Sequence, residues 1–101
     1  IHGFAQNRFS WDTKNRSMTA WLAEKGWDVW NLELRGHGRS RRRGGTKATT
    51  FSDYPDDLLR LTHAMDDPAF WLGHSLGASV AYAAVANSVD NPPTRGVIGI
   101  C

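Results

Sequence analysis

The chain has 101 residues, of which 41% are hydrophobic and 22% are charged, so it is long enough for one globular domain or part of one and too short for two. The formal charge of +2 is small, and no run approaches the roughly 18 consecutive apolar residues that would cross a bilayer. Cys101 is the only cysteine, which excludes an internal disulfide and leaves the redox compartment open.

Both ends of the chain are predicted to lie in strands. Residues 2–4 (HGF) resemble the end of a strand that enters a loop, and the apolar run 95–101 stops without a turn or a polar tail. Because secondary structure is cut at both ends, we expect residues 1–101 to be a fragment of a larger domain. An upstream signal peptide is therefore left open.

The first half of the chain predicts a helix and then a strand. Met18, Trp21 and Leu22 recur at helical spacing and Gly26 suits a position just past a helix, so a helix is predicted over about 15–25. Residues 27–34 (WDVWNLEL) are rich in aromatic and branched side chains and are stopped by a glycine-containing turn, which predicts a strand.

A glycine-rich and arginine-rich segment after this strand, up to about residue 50, is predicted to be a loop. Its basic run comprises Arg35, Arg39, Arg41, Arg42 and Arg43. Such a run can mark a phosphate-binding surface, but no interleaved aromatics or nucleic-acid motif accompany it, so a solvated loop is preferred.

The next segment predicts a second helix, over residues 52–65. Asp53 is a plausible N-cap, Pro55 suits the first turn, and Asp56 and Asp57 lie where the helix dipole favours negative charge. These three aspartates are therefore interpreted as helix-capping residues. The apolar face of this helix comprises Leu58, Leu61 and Met65.

The remaining elements complete an alternating pattern. Residues 69–73 predict a short apolar strand, 76–89 an alanine-rich helix and 95–101 a final strand. Alternating strands and helices with short connections are typical of parallel strands joined by crossovers. The predicted fold class is α/β, a partial parallel sheet with flanking helices.

Residues 73–77 (GHSLG) fit the pattern G-x-S-x-G, with a strand before it and a helix after it. In that context the middle residue, Ser75, has a strained backbone and a side chain above the sheet. Gly73 and Gly77 leave room for the backbone to close around it, and Ala78 and Ala81 keep the helix near the strands. A glycine-flanked loop serine is the alternative.

Three motifs in order make the chain resemble the alpha/beta-hydrolase fold family: HGF at residues 2–4, RGHGRS at 35–40 and GHSLG at 73–77. The resemblance covers nearly the whole chain. It implies that residues 1–101 are an N-terminal to central fragment of a single alpha/beta-hydrolase domain, from the strand before the oxyanion loop to the strand after the nucleophile elbow.

The resemblance also implies roles for individual residues. Ser75 would be the nucleophile that attacks a carbonyl carbon and becomes acylated. The backbone N–H groups of Phe4 and Leu76 would form the oxyanion hole. The candidates for lining the pocket, with plain packing as the alternative, are Phe4, Phe9 and Trp11.

The general base is the part of the pattern that this chain does not match. In the family an acid and then a histidine follow the nucleophile, whereas no histidine follows Ser75 here. His2 is expected to brace the oxyanion loop, His37 to have a structural role, His63 to lie at the surface, and His74 to point away from the serine oxygen. The fragment alone is therefore expected to be inactive.

A carboxylic ester hydrolase of small or medium acyl substrates is the favoured activity. The alternatives are a lipase, thioesterase, peptidase, acyltransferase or cofactor-free haloperoxidase of the same fold, or a non-catalytic binding module. No cofactor, metal, nucleic-acid partner or membrane span is expected. The partner is a small-molecule acyl substrate; oligomeric state is left open, and so is localisation, with the cytoplasm as default.

Overall fold

A computed structural model of the protein describes residues 1–42 and 49–101; Arg43 and the rest of the predicted loop through residue 48 lie outside the described residues. The helices are α1 (Met18–Glu24), α2 (Asp53–His63) and α3 (Leu76–Asn87). The strands are β1 (Asp12–Thr13), β2 (Arg16–Ser17), β3 (Ala69–His74) and β4 (Thr94–Ile100). Two 3-10 turns cover Arg8–Trp11 and Gly38–Arg42.

The central feature is a parallel pair of strands, β3 and β4. Trp71 lies opposite Val97 and Gly73 opposite Gly99, with one irregularity between Ala69 and Phe70. α3 connects the two strands and supplies the crossover that a parallel pair requires. The predicted α/β class, with a small parallel sheet and flanking helices, is confirmed.

α3 packs closely on this pair because its inner face is made of small side chains. Val80, Ala81 and Ala84 are fully buried, and with Trp71 of β3 and Leu58 of α2 they form the core. A methyl group added at Gly99 would lie 3.3 Å from the Ala78 Cβ, so small residues on both elements allow the close approach. The expected role of Ala78 and Ala81 is confirmed.

The first helix is shorter than its periodicity predicts. It begins at Met18 rather than near residue 15, because Ser17 is its N-cap and accepts a hydrogen bond from the Ala20 N–H at 3.0 Å. Residues 12–17 form the β1–β2 hairpin instead. Asp12 accepts hydrogen bonds from the hydroxyls of Ser17 and Thr19, and these hold the pKa of its carboxyl below the usual value.

The predicted strand at residues 27–34 is wrong as a strand assignment. Within the described residues, 28–33 make no backbone hydrogen bond to a neighbouring strand, and the Leu34 N–H donates to the imidazole of His2 rather than to a carbonyl. Residues 1–3 are likewise not assigned as strand, although Ile1 bonds to β3 at Leu72 and at His74. A strand is defined by a ladder, and one bonded residue does not make one.

The capping interpretation of Asp53 and Asp57 is corrected, whereas Asp56 lies in the first turn of α2 as predicted. Ser52 occupies the N-cap, and Asp53 is the first helical residue, whose carboxylate accepts from the Thr50 N–H at 2.7 Å. Asp57 does not cap the helix. It pairs with Arg35, whose Nε lies 2.6 Å from the Asp57 Oδ2. Both side chains of this ion pair are partly exposed to solvent, so the pair adds little to stability.

Candidate active site

Ser75 lies in the turn between β3 and α3, with a backbone conformation that few serines adopt. Its φ is 50° and its ψ is −116°, which places it in the left-handed half of the map. Its N–H donates to the Ile100 carbonyl at 2.8 Å, so the turn is fixed to the end of β4. The side chain is exposed, and among the described residues its hydroxyl has no hydrogen-bond partner.

The turn of residues 73–77, called the elbow below, closes only because glycine occupies both flanks. A Cβ at Gly73 would lie 2.5 Å from the Ala78 nitrogen. A Cβ at Gly77 would lie 2.7 Å from the His2 carbonyl oxygen. These neighbours are backbone atoms and cannot rotate away, so any side chain at either position would push the elbow open.

Residues 2–6, the HGF loop, lie directly against the elbow. The His74 N–H donates to the Ile1 carbonyl at 3.1 Å, which fixes the start of the loop beside the end of β3. The loop then turns sharply, with the Gln6 N–H donating to the Gly3 carbonyl at 3.3 Å and Ala5 at a φ of 56°. The loop and the elbow therefore each contain one non-glycine residue with positive φ, Ala5 and Ser75.

His2 is fully buried and braces this loop, as expected from the sequence. Its Nε2 accepts from the Leu34 N–H at 3.0 Å, so Nδ1 carries the proton and donates to the Gly3 carbonyl at 2.8 Å. Burial lowers the pKa of the imidazole more than the hydrogen bond to Gly3 raises it. His2 is thus held neutral in one tautomer.

Gln6 is a residue that sequence reasoning missed. Its side-chain oxygen accepts from the Gly3 N–H at 3.0 Å and lies 3.3 Å from the Nδ1 of His74. A glutamine in a loop carries no sequence signal for such a contact, because the partner lies 68 positions along the chain.

Glu33 was also missed, although a carboxylate between Leu32 and Leu34 was a usable signal. Its side chain accepts from the Arg39 N–H at 2.8 Å and from the Arg8 guanidinium at 3.1 Å, joining the turn after residue 34 to the segment after the HGF loop. Desolvation raises the pKa of this carboxyl, but the N–H groups of Arg39 and Arg8 and the Arg8 charge together lower it further.

The three aromatic side chains considered for pocket lining lie in different surroundings. Trp11 packs edge-on against His74, with ring centroids 6.5 Å apart, and so lies beside the elbow. Phe4 is 76% exposed and meets His37 edge-on at 6.5 Å. Phe9 is exposed and lies under the Arg8 guanidinium, 4.2 Å from the ring centroid.

The remaining groups considered in the sequence analysis are the backbone N–H groups of Phe4 and Leu76 and the histidines His37 and His63. In the part of the chain that the structure describes, the N–H groups of Phe4 and Leu76 have no hydrogen-bond partner. His37 bonds through Nδ1 to the Arg35 carbonyl at 3.0 Å, and His63 is exposed on α2, as expected.

Other features of the surface lie away from the elbow. A groove of about 300 Å³ is lined by Trp30, Asn31, Leu32, Glu33, Ser40 and Leu61, none of which belongs to the elbow.

Across residues 1–42 and 49–101, no group of three or more His, Cys, Asp or Glu side chains could hold a metal ion. In the same ranges no helix is long and apolar enough to span a membrane.

Comparison with known proteins gives one match. The family model described as serine aminopeptidase, S33, matches residues 1–101. No curated protein and no solved structure matches the chain. Because the family match spans every residue, and the parallel pair with its strand-to-helix elbow agrees with it, the chain belongs to the S33 serine aminopeptidase family of alpha/beta hydrolases.

Proposed function

We propose that Ser75 is the nucleophile of a hydrolase that cleaves carboxylic esters through an acyl-serine intermediate. The observation that carries the proposal is the conformation of Ser75: a positive φ of 50° in an exposed strand-to-helix turn that two glycines make possible. Packing alone has no use for such a strained residue, whereas a nucleophile gains exposure above the sheet from it.

The HGF loop supports an oxyanion hole formed by the N–H groups of Phe4 and Leu76. The Gly3 carbonyl accepts from His2 and from the Gln6 N–H, which fixes the orientation of the Gly3–Phe4 peptide. In a trans peptide the N–H points opposite to the carbonyl, so the Phe4 N–H is directed away from both donors. Leu76 begins α3, where the N–H groups have no partner within the helix.

The proposed chemistry needs a base that the described residues do not supply. Within residues 1–42 and 49–101, no imidazole nitrogen hydrogen-bonds the Ser75 hydroxyl. A serine hydroxyl is a weak nucleophile until a histidine accepts its proton, and a carboxylate orients that histidine. We therefore assign the histidine and the carboxylate to sequence beyond these residues. The proposed substrate is a small acyl compound.

The nucleophile assignment predicts covalent labelling. In the full-length protein, a fluorophosphonate probe should modify Ser75, because the elbow exposes its hydroxyl beside two oxyanion donors. Mass spectrometry of the labelled peptide identifies the site, and Ser75→Ala should remove the label. Ser79, exposed one helical turn later on α3, offers the matched control: Ser79→Ala should label as the wild type does. Labelling that survives Ser75→Ala would assign the nucleophile elsewhere, and an unlabelled wild type would favour a binding module.

An aminopeptidase is the second candidate, favoured by the description of the matching family. The two activities share the acyl-enzyme step and differ in the leaving group. We expect the full-length protein to turn over p-nitrophenyl butyrate with a kcat/KM at least tenfold above that for alanine p-nitroanilide. The reverse order would assign the peptidase, and Ser75→Ala should abolish whichever activity is found.

A further inference from the structure

The two proposed oxyanion donors belong to segments that are far apart in the chain. Phe4 lies in the HGF loop and Leu76 in the elbow, and an oxyanion hole works only if both N–H groups point at one oxygen. Backbone contacts fix the start of the loop, at Ile1, to the elbow. His2 ties Gly3 to Leu34, but that contact does not reach the elbow, so the part of the loop that carries Phe4 needs a separate attachment to the elbow.

The side chain of Gln6 provides that attachment. Its oxygen accepts from the Gly3 N–H at 3.0 Å and lies 3.3 Å from the His74 Nδ1. Gly3 immediately precedes Phe4, and His74 immediately precedes Ser75. A Cβ added at Gly3 would lie 2.9 Å from both the Gln6 oxygen and the His74 Nδ1, so the three groups converge on one point.

The chemistry of this contact sets the protonation of His74. The Gly3 N–H is a donor, so the Gln6 atom that faces it must be the carbonyl oxygen rather than the amide nitrogen. A carbonyl oxygen only accepts hydrogen bonds. His74 therefore donates from Nδ1, and the neutral imidazole is the Nδ1–H tautomer.

We propose that Gln6 is a positioning residue, which holds the HGF loop against the elbow and so sets the spacing of the two oxyanion donors. The inference rests on the proposed function of Ser75. Gln6 acts on the reaction only through Gly3 and His74, and its amide does not contact the substrate.

The kinetic test uses the full-length protein with two variants that remove the contact from opposite sides. Gln6→Met keeps the side-chain length without the acceptor, and His74→Phe keeps a ring without the donor. Each should lower kcat for p-nitrophenyl butyrate about tenfold with KM unchanged, since the contact acts on the transition state. Gln6→Met also removes the bond to the Gly3 N–H, so the double variant should be no slower than Gln6→Met alone, which already lacks the contact with His74.

Two further readouts separate positioning from a general loss of structure. Inhibition by an alkyl trifluoromethyl ketone, whose adduct places an oxyanion in the hole, should weaken by the same factor as kcat. Ser10→Ala is the matched control on the same segment, since the exposed Ser10 hydroxyl donates to the Asn7 carbonyl and, among the described residues, has no other side-chain partner. It should keep the wild-type kcat and inhibition.

A spectroscopic measurement reads the contact independently of activity. With histidine labelled by 15N, the His74 ring should be protonated at Nδ1 in the wild type and should lose that preference in Gln6→Met. A wild type protonated only at Nε2 overturns the inference. So does a Gln6→Met variant that keeps the wild-type kcat in an enzyme whose Ser75 is labelled. A wild type that neither labels at Ser75 nor hydrolyses the ester overturns the proposed function, and the kinetic role of Gln6 with it.

Discussion

Two non-glycine residues at this site have an unusual backbone conformation. Ser75, in the elbow, and Ala5, in the HGF loop, both have positive φ, which costs conformational energy. His2 contributes from below: it is fully buried, and its two ring nitrogens join Leu34 to Gly3. His2 thus fixes the orientation of the Gly3 carbonyl within the loop.

The buried His2 predicts a pH dependence of stability. Its pKa is lowered below the ordinary 6.5, chiefly by burial and also by the nearby charge of His37, against which Glu33 acts weakly. The unfolded chain therefore binds a proton that the folded chain rejects, so stability is complete above about pH 6.5 and decreases as the pH falls below it. Protonation of His2 would also place a hydrogen on Nε2, so that two donors, this N–H and the Leu34 N–H, would face each other and their hydrogen bond would be lost.

Thermal unfolding of the full-length protein between pH 5 and pH 8 tests this. In His2→Gln, the side-chain oxygen can still accept from Leu34 but no longer titrates, so the melting temperature should fall less on acidification than in the wild type. An equally steep fall in both proteins would show that His2 is not the group responsible.

At the scale of elements, the site depends on how closely α3 approaches the strands and the HGF loop. Gly77 is in the first turn of α3, and its α-carbon faces the carbonyls of Ile1 and His2. The buried Ala81 and Ala84 continue this small-residue face along the helix. The position of Ser75, the proposed nucleophile, therefore depends on how closely the helix packs against the strands and the loop.

Gly77→Ala tests this dependence. Helix propensity favours alanine by about 1 kcal/mol. However, the new Cβ would lie 2.7 Å from the His2 carbonyl, and overpacking against backbone costs about 1–3 kcal/mol or more. We expect a lower melting temperature and slower fluorophosphonate labelling of Ser75 in the full-length protein.

Gly96→Ala is the matched control, because its Cβ would meet only the Phe70 ring, at 3.4 Å. It should change labelling little. If Gly77→Ala labels as fast as this control, the close approach of the helix is not required for a reactive serine.

Over the whole molecule, the sequence determined the features that depend on local pattern. The ends of strands β3 and β4 and of helix α3 were predicted to within two residues of their observed positions. The signals used, which are apolar runs, alanine content and the positions of glycines, each depend on only a few neighbouring residues. The strained turn at Ser75 was predicted for the same reason, since G-x-S-x-G between a strand and a helix is a local pattern.

The tertiary structure alone decided the contacts that join distant segments. The link from Gln6 to His74, the hydrogen bond that the Arg8 guanidinium donates to Glu33, and the pairing of Arg35 with Asp57 cross 22 to 68 positions of sequence. The same holds for residues 27–34, whose composition suits a strand although a strand exists only where a partner pairs with it. The local sequence pattern determines which secondary structure a segment can form. The packing of distant segments determines whether that structure forms and which polar groups make hydrogen bonds.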